Sequence, residues 1–181
     1  MMKTPNPTSR AHTVIDSPIG KLTLVATDGV LAGLYMEQHR HQPPQASFGE
    51  PDARLFTAAT RQLDEYFAGQ RSSFDLPMTL TGTDFQRRVW DALCAISYGE
   101  AISYGELAAR LGQPTASRAV GLANGKNPIS IVVPCHRVVG AGGSLTGYGG
   151  GLERKRFLLD LETAVKALTV EHPPRVMTAF S

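Results

Sequence analysis

The feature that most constrains this chain is an apolar run that a proline ends directly before a cysteine. Residues 129–133 read Ile-Ser-Ile-Val-Val, and Pro134 is followed by Cys135, His136 and Arg137. Such a run predicts a buried strand, and a proline at its end interrupts the ladder of hydrogen bonds and presents the next side chain. The sequence therefore predicts a thiol at the end of a core strand, beside an imidazole and a guanidinium.

Cys135 is the stronger of two candidate nucleophiles. The thiolate is the reactive form of cysteine, and a neighbouring base (His136) and a fixed positive charge (Arg137) both favour it. Because adjacent side chains on a strand face opposite sides, Cys135 and His136 cooperate only if the backbone bends there or a water bridges them. Cys94 lies in an apolar helical segment and is interpreted as a buried structural thiol.

Composition narrows the function classes. The 181 residues suit one large domain or two small ones, and apolar runs are too short to span a bilayer. The N-terminus has no apolar signal region, and two cysteines provide neither a disulfide framework nor a set of metal ligands. We expect a cytoplasmic protein without a metal site.

The net charge says little about possible partners, but the distribution of charge along the chain says more. The net charge is +2, but residues 104–160 contain seven Lys or Arg and three Asp or Glu, which gives +4, against −2 for the remainder. A basic segment of this kind fits a phosphate-binding face, and it fits a solvated surface of mixed charge equally well.

The first half of the chain has only weak secondary-structure signals. After a lead expected to be disordered (1–11), strands are predicted at 13–16, 22–26 and 30–36, then a polar loop at 37–52. Leu55, Ala59, Leu63 and Phe67 recur every four residues and predict a helix that Gly69 ends. These elements form a predicted N-terminal α+β domain (12–76), which a linker (77–81) joins to the rest.

The second half is helical. Thr83 to Gln86 and Ser103 to Glu106 have the spacing of capping boxes and predict two helix starts. A third helix is predicted from about residue 115 to 124, so the last two form a helix-turn-helix. A final helix is predicted at 153–162, buried through Phe157, Leu158 and Leu161, with a poorly patterned tail at 163–181. The fold class is α+β: a small N-terminal α/β domain with short antiparallel strands, and a mainly helical C-terminal domain (82–162) with a helix-turn-helix and a buried active-site cysteine.

Three further features bear on function. The third helix is made of small residues, with Arg118 as its one long projection, so it either packs tightly or approaches another surface closely. The loop 147–151 is rich in glycine, which lets backbone N–H groups approach a ligand. Glu162, near the end of the last predicted helix, is a candidate to orient His136, although a solvated carboxylate is the more common state of such a residue.

These residues together resemble the O6-alkylguanine-DNA alkyltransferase family, also called methylated-DNA–protein-cysteine methyltransferases. The resemblance rests on 134–138, on the helix-turn-helix from Tyr104 to Asn127, on the loop 147–152 and on the closing 158–162. Residues 12–76 resemble the family's N-terminal domain more weakly. The resemblance implies repair of duplex DNA without a dissociable cofactor: the protein binds the minor groove, rotates the damaged guanine out of the stack and transfers its O6-alkyl group to its own cysteine, once per molecule.

The resemblance also implies a role for each site residue. Cys135 accepts the alkyl group, His136 takes the thiol proton through a water, and Glu162 orients His136. Tyr104 donates to guanine N3 and crowds the rotating phosphate, while Asn127 is the hinge between the helix-turn-helix and the active-site strand. The pocket for the base is framed by four residues: Val138 through its carbonyl, Tyr148 and Gly149 through their backbone, and Arg137.

The implied DNA contacts lie on the third helix. Arg118 fills the gap that the rotated base leaves, and Ala116, Ser117 and Gly121 lie against the DNA backbone. A helix so poor in base-reading side chains suits sequence-independent binding in the minor groove rather than readout of the major groove. The partner is thus duplex DNA that contains O6-alkylguanine, with O4-alkylthymine as a second candidate lesion; a monomer is expected, and cooperative assembly on DNA is left open.

The chain departs from the family in two places. Some members bind a structural zinc through cysteines and histidines of the N-terminal domain, which has no cysteine here, so no zinc is expected. Gly149 replaces a serine of some relatives, which bears on the range of alkyl groups accepted.

Three other functions are weighed. A lesion sensor of the alkyltransferase-like kind lacks the cysteine that this chain has. A cysteine hydrolase leaves the helix-turn-helix unexplained, and a transcription factor has no need of Cys135.

Overall fold

The first half of the chain forms a four-stranded sheet in the order β3-β2-β1-β4, followed by a helix. The computed structural model describes residues 8–171. Neighbours β1, β2 and β3 are antiparallel, and the short β4 runs parallel to β1. The elements are β1 (Arg10–Ile15), β2 (Leu22–Thr27), β3 (Val30–Met36), β4 (Glu50–Pro51) and α1 (Thr57–Phe67). The predicted antiparallel strands and helix are confirmed.

Turn chemistry explains why β2 and β3 pair. Asp28 and Gly29 both have positive φ, 50° and 80°, as a two-residue hairpin turn requires. The pairing then places Leu24 opposite Leu34, and both are fully buried. The inner face of the sheet shares a hydrophobic core with Phe56 of the turn before α1 and with Leu63 and Tyr66 of α1.

The second half is mainly helical, as predicted. Thr83 and Gln86 form a complete capping box, since each side chain accepts the backbone N–H of the other residue. At Ser103 only half of the predicted box forms: its hydroxyl accepts the Glu106 amide, while the Glu106 carboxylate pairs with Arg110 instead. The elements are α2 (Asp84–Cys94), β5 (Ile102–Ser103), α3 (Tyr104–Arg110), α4 (Ser117–Gly125), β6 (Val138–Val139) and α5 (Leu152–Glu171), with β5 and β6 paired in parallel.

Helices α3 and α4 are joined by residues 111–116 in the predicted helix-turn-helix arrangement. They bury Leu107, Ala108, Val120 and Ala123 between them and the rest of the core. The indole N–H of Trp90 on α2 donates to the Ala123 carbonyl at 2.9 Å, which fixes α4 against α2. No helix within residues 8–171 is long and apolar enough to cross a bilayer.

One hydrophobic core runs through both halves. It contains side chains of the sheet and α1 together with those of α2, α4 and α5. The backbone also connects the halves: Leu34 N–H donates to the Pro128 carbonyl at 2.9 Å, and Ser130 N–H donates to the Leu34 carbonyl at 3.3 Å. The edge of the first sheet therefore holds the segment that precedes Cys135.

The ends of the chain differ from prediction. The lead 1–11 was expected to be disordered, but β1 begins at Arg10 because Ala11 and its neighbours pair with β2; residues 1–7 lie outside the described part. The last helix does not end at 162. It continues to Glu171, where Val165 lies near Gly69 and Lys166 near Gly99, so contacts with α1 and with the loop after α2 support the extra turns. Residues 172–181 of the predicted tail lie outside the described part.

Three burial predictions were wrong. Cys94 is exposed rather than a buried structural thiol, because it lies on the outer face of α2 in its last turn. Phe157 is 39% exposed, and Leu55, which was placed on the buried face of the first helix, is 48% exposed in the short 3-10 turn that precedes α1.

Candidate active site

Cys135 begins a short 3-10 helix, not a strand. Only Ile129 of the predicted strand pairs with the sheet, and the chain then turns through Ile131, whose φ is +71°. This left-handed conformation is strained for a β-branched residue. The turn continues into the 3-10 helix Cys135–Arg137, so the expected strand is wrong and the bend needed between Cys135 and His136 is present. Cys135 is 5% exposed and His136 fully buried.

Two asparagines hold this turn in place. The Asn127 side-chain N–H donates to the Val133 carbonyl at 2.8 Å, and its oxygen accepts the Ile129 N–H at 3.0 Å. Asn124 on α4 donates to the Cys135 carbonyl at 3.4 Å. Asn127 therefore closes the turn from both ends, at the point where α4 meets the active-site segment.

The Glu162 carboxylate is the centre of the site. It is fully buried and accepts five hydrogen bonds. His136 Nε2 lies 2.7 Å from Oε1, and the Tyr66 hydroxyl donates to the same oxygen at 2.9 Å. Arg137 donates to both oxygens at 2.9 Å, and the Gly99 N–H donates to Oε2 at 3.2 Å. The helix continues past Glu162, so this residue is neither at a helix end nor solvated.

These contacts fix the protonation states of Glu162 and His136. Burial by itself would raise the pKa of Glu162, but the hydrogen bonds and charges of His136 and Arg137 outweigh it and hold that pKa at about 2. Burial lowers the pKa of His136, against the opposing effect of Glu162. A neutral His136 donates through Nε2 to the carboxylate. Its Nδ1 is buried and has no partner within residues 8–171, which leaves it free to accept a proton.

The Cys135 thiol is protonated at rest. Burial raises its pKa, and the groups that oppose this are Asn127, Ser130 and Lys155. The nearby cation is thus Lys155, whereas Arg137, which the sequence suggested for this role, is committed to Glu162. A buried neutral thiol is a weak nucleophile and needs a base, so the free Nδ1 of His136 is the group that the chemistry requires.

Lys155 on α5 is fully buried and holds the surrounding loop. Its Nζ donates to the carbonyls of Val138 at 2.6 Å, Thr146 at 2.9 Å and Gly147 at 3.4 Å. It also lies 5.9 Å from the centre of the Tyr104 ring. Burial lowers the pKa of Lys155 to about 8, and Cys135 opposes that shift. Lys155 therefore joins the thiol, the loop and Tyr104.

A cavity of about 140 Å³ opens between α3, α4 and the glycine-rich loop. Of the predicted residues, Tyr104, Gly121, Tyr148 and Gly149 line it. The Tyr104 hydroxyl donates to the Thr146 carbonyl at 3.1 Å. A Cβ at Gly121 would lie 3.6 Å from the Tyr104 ring, in ordinary van der Waals contact, so α4 passes close to this ring.

Two predicted base contacts are not at this cavity. Arg137 points the other way: besides Glu162 it donates to the Ile96 carbonyl at 2.7 Å and lies 5.6 Å from the centre of the Tyr98 ring. Its placement in the base pocket was wrong, because the buried carboxylate attracts the guanidinium. Val138 is fully buried, and its carbonyl already accepts Lys155.

Helix α4 presents one face beside the cavity. Gly121, Leu122 and Gly125 line the cavity, and Arg118 lies three and four residues before the first two, on the same face. Arg118 is exposed and makes no ion pair within residues 8–171, and Leu122 is 70% exposed. The half-buried Ala116 and Ser117 lie at the N-terminal end of α4, where no side chain caps the helix.

The first half of the chain reaches the glycine-rich loop. The Arg40 N–H donates to the Gly149 carbonyl at 2.8 Å. A Cβ placed on Gly149 would lie 2.5 Å from Nε2 of His39, which is buried and accepts the Met36 N–H at 3.2 Å through Nδ1. His39 thus occupies the space in which the serine of some relatives would place its side chain.

Several participants were missed by sequence reasoning. Tyr66, Lys155, Ser130 and His39 carry no local motif, and each reaches the site from a different element. Lys155 gave the one usable signal, since a lysine at a core position of a helix needs an acceptor. No group of three or more His, Cys, Asp or Glu in the described part is placed to hold a metal ion.

Comparison with known proteins gives consistent matches. Two family models match: the DNA-binding domain of 6-O-methylguanine DNA methyltransferase over residues 84–164, and its ribonuclease-like domain over 11–80. The methylated-DNA–protein-cysteine methyltransferase of Mycobacterium bovis is 56% identical over 151 residues, 83% of this chain and 91% of that protein. That of Mycolicibacterium paratuberculosis is 52% identical over 93% of this chain and 98% of its own length. The crystal structure of Mycobacterium tuberculosis OGT in complex with DNA matches with a TM-score of 0.80 and 54% identity, over 86% of this chain and 94% of that one.

The buried carboxylate predicts a specific acid sensitivity. Because the pKa of Glu162 is lowered from 4.5 to about 2, its contribution to stability is complete above pH 4.5 and is lost as the pH falls towards 2. The loss is on the order of 3 kcal/mol. Chemical unfolding at several pH values should show this slope in the wild type and lack it in Glu162→Gln. Glu153→Gln, at an exposed position, should keep it; an unchanged slope in Glu162→Gln would contradict the assignment.

The contact between His39 and Gly149 predicts a coupled pair. Gly149→Ser should lower the free energy of unfolding by about 1–3 kcal/mol through overcrowding. In a His39→Ala background the same change should cost less than about 0.5 kcal/mol, because the space is then free. Gly105→Ser on the exposed face of α3 serves as the control and should cost nothing. Equal costs of Gly149→Ser in both backgrounds would show that His39 does not fill this space.

Proposed function

Since this chain belongs to the methylated-DNA–protein-cysteine methyltransferase family of DNA-binding repair enzymes, we propose that it removes alkyl groups from O6-alkylguanine in duplex DNA by transferring them to Cys135. One observation carries the proposal: the buried Cys135 adjoins a histidine whose Nε2 is bound to Glu162 and whose Nδ1 is free. This arrangement supplies a nucleophile, a base and a group that orients the base.

The transfer is a single displacement. His136 takes the proton of Cys135 through one bridging water and becomes an imidazolium, which the Glu162 carboxylate stabilises. The sulfur attacks the alkyl carbon, an S–C bond forms, and the bond from carbon to guanine O6 breaks with its electron pair left on the guanine. Tyr104 turns its hydroxyl from the Thr146 carbonyl to guanine N3 and stabilises that leaving group. The reaction needs no dissociable cofactor.

The product explains a limit of one turnover. A thioether at Cys135 is chemically stable, and the site holds no group that would cleave it. Each molecule therefore repairs one lesion. The same displacement applies to O4-methylthymine, which also carries a methyl group on the exocyclic oxygen of a nucleobase, while O6-methylguanine is the substrate that we propose first.

DNA is held by α4 in the minor groove. The uncapped N-terminus of this helix, with Ala116 and Ser117, offers backbone N–H groups to phosphate, and Gly121 allows close approach. The exposed Arg118 enters the base stack in place of the rotated nucleotide. Rotation costs a few kcal/mol, which the inserted side chain partly offsets. The rotated base then occupies the cavity lined by Tyr148 and Gly149.

The proposed roles are divided between the two halves of the chain. We assign DNA binding and chemistry to residues 82–162, and the support of the site to 12–76 with the linker 77–81. We propose that the protein acts as a monomer, in the compartment that holds the cell's DNA.

The test is the mass of the intact protein, followed by peptide mapping, after mixing with duplex DNA that carries one O6-methylguanine. We expect a gain of one methyl on Cys135 that stops at one per molecule. Cys135→Ser should gain none, and Cys94→Ser, the matched control, should behave as the wild type. No gain with retained lesion-selective binding would identify a sensor instead, and repeated turnover of an ester would identify a hydrolase.

The role of Arg118 predicts a substrate-dependent defect. Arg118→Ala should slow methyl transfer from duplex DNA roughly ten- to a hundred-fold, since part of the few kcal/mol of base rotation is no longer offset. Transfer from the free base O6-methylguanine, which requires no rotation, should be unaffected. Single-turnover rates with the two substrates measure this, and an equal effect on both would exclude insertion into the stack.

A further inference from the structure

A second cavity lies between the sheet of the first half and the C-terminal end of α4. Its volume is about 350 Å³. Arg10 and Arg40 line it from the first half, and Lys126 lines it from the residue that follows α4. None of its lining residues is Asp or Glu, so three basic residues line one space without an acidic residue among them. We call it the cationic cleft.

The cleft adjoins the mouth of the active site. Arg40 and His41 line both the cleft and the cavity that contains Tyr104 and Gly149. A chain that leaves the active-site cavity on this side therefore passes directly into the cleft.

The segment that carries these two side chains is held by backbone hydrogen bonds. His41 has a φ of +63° and Gln38 one of +55°, both in the left-handed region. The Arg40 N–H donates to the Gly149 carbonyl, and the Gln42 N–H donates to the His39 carbonyl at 3.3 Å. The backbone thus fixes Arg40 and His41 at the boundary between the two cavities.

The cations of the cleft are available for a partner. Arg10 donates to the Ser47 carbonyl at 2.8 Å, but the side chains of Arg40 and Lys126 are exposed and make neither an ion pair nor a hydrogen bond within residues 8–171. Like charges brought together in this way repel each other, and an anion is the partner that removes the repulsion.

We propose that the cationic cleft binds the DNA phosphates next to the rotated nucleotide, so that the N-terminal half of the chain contacts DNA directly. This inference rests on the proposed function, since the cleft lies beside the cavity that receives the base. Arg40 and Lys126 each neutralise one phosphate, and His41 lines the passage between the two cavities. Phosphate contacts are independent of base identity, as repair of a lesion in any sequence requires.

The experiment measures the affinity of the full chain for undamaged duplex DNA across a range of salt concentrations. Each lost phosphate contact makes the slope of log K against log salt shallower by about 0.9, so Arg40→Ala/Lys126→Ala should lose about 1.8. If the two proteins bind equally at about 1 M salt, the variant binds roughly 60-fold more weakly at about 0.1 M. Arg40→Lys, which keeps the charge, should bind with the wild-type slope.

The matched control is Arg61→Ala. Arg61 is an exposed cation on α1 that lines neither cavity, so its loss removes one positive charge and an exposed ion pair with Glu65 without changing the cleft. A slope for Arg40→Ala/Lys126→Ala equal to that of Arg61→Ala would overturn the proposal. The two proposals fail in distinguishable ways. If the proposed function is wrong, the wild-type protein gains no methyl group, and the affinity for undamaged DNA still tests the cleft.

Discussion

The site depends on one buried carboxylate. Glu162 has no exposed surface and would be costly to bury as an isolated charge. Four donor residues from three separate parts of the chain compensate it: Tyr66 of α1, Gly99 of the loop after α2, and His136 and Arg137 of the 3-10 turn. Because an unpaired buried charge costs far more than a paired one stabilises, these elements are held to a single relative arrangement. The same carboxylate that organises the fold therefore sets the tautomer of His136.

The surroundings of Cys135 restrain its reactivity rather than maximise it. A cysteine with a strongly lowered pKa would react with any electrophile, and in the single-turnover reaction that we propose each such event would consume a molecule. Burial raises the pKa of this thiol and keeps it neutral, while Asn127, Ser130 and Lys155 limit the rise in that pKa. In the reaction that we propose, reactivity then depends on proton transfer to His136 when an alkylated base fills the cavity lined by Tyr104 and Gly149. Lys155 acts on both the thiol and the cavity: it opposes the rise in the pKa of Cys135, and it donates hydrogen bonds to the loop that forms the cavity wall.

Sequence reasoning succeeded where the signal is local. The capping box at Thr83 and the run of small residues in α4 each depend on neighbours within a few positions, and these elements form where predicted. It failed at Ile131, where an apolar run typical of a strand is bent by hydrogen bonds from Asn127. It also failed at Arg137, whose partner is 25 residues away. No local pattern identifies Tyr66, because its role arises only when distant elements meet.

The two halves differ in their sequence patterns, but contacts between them stabilise a single structure. Tyr66 donates to the carboxylate that also contacts His136, β3 pairs with the segment before Cys135, and His39 packs against the loop at Gly149. An isolated second half would expose the apolar surface that now covers α1 and would leave Glu162 without one of its donors. The N-terminal half thus helps to form the candidate site. Its sequence pattern is weak because many different sequences allow a sheet to make the same few contacts.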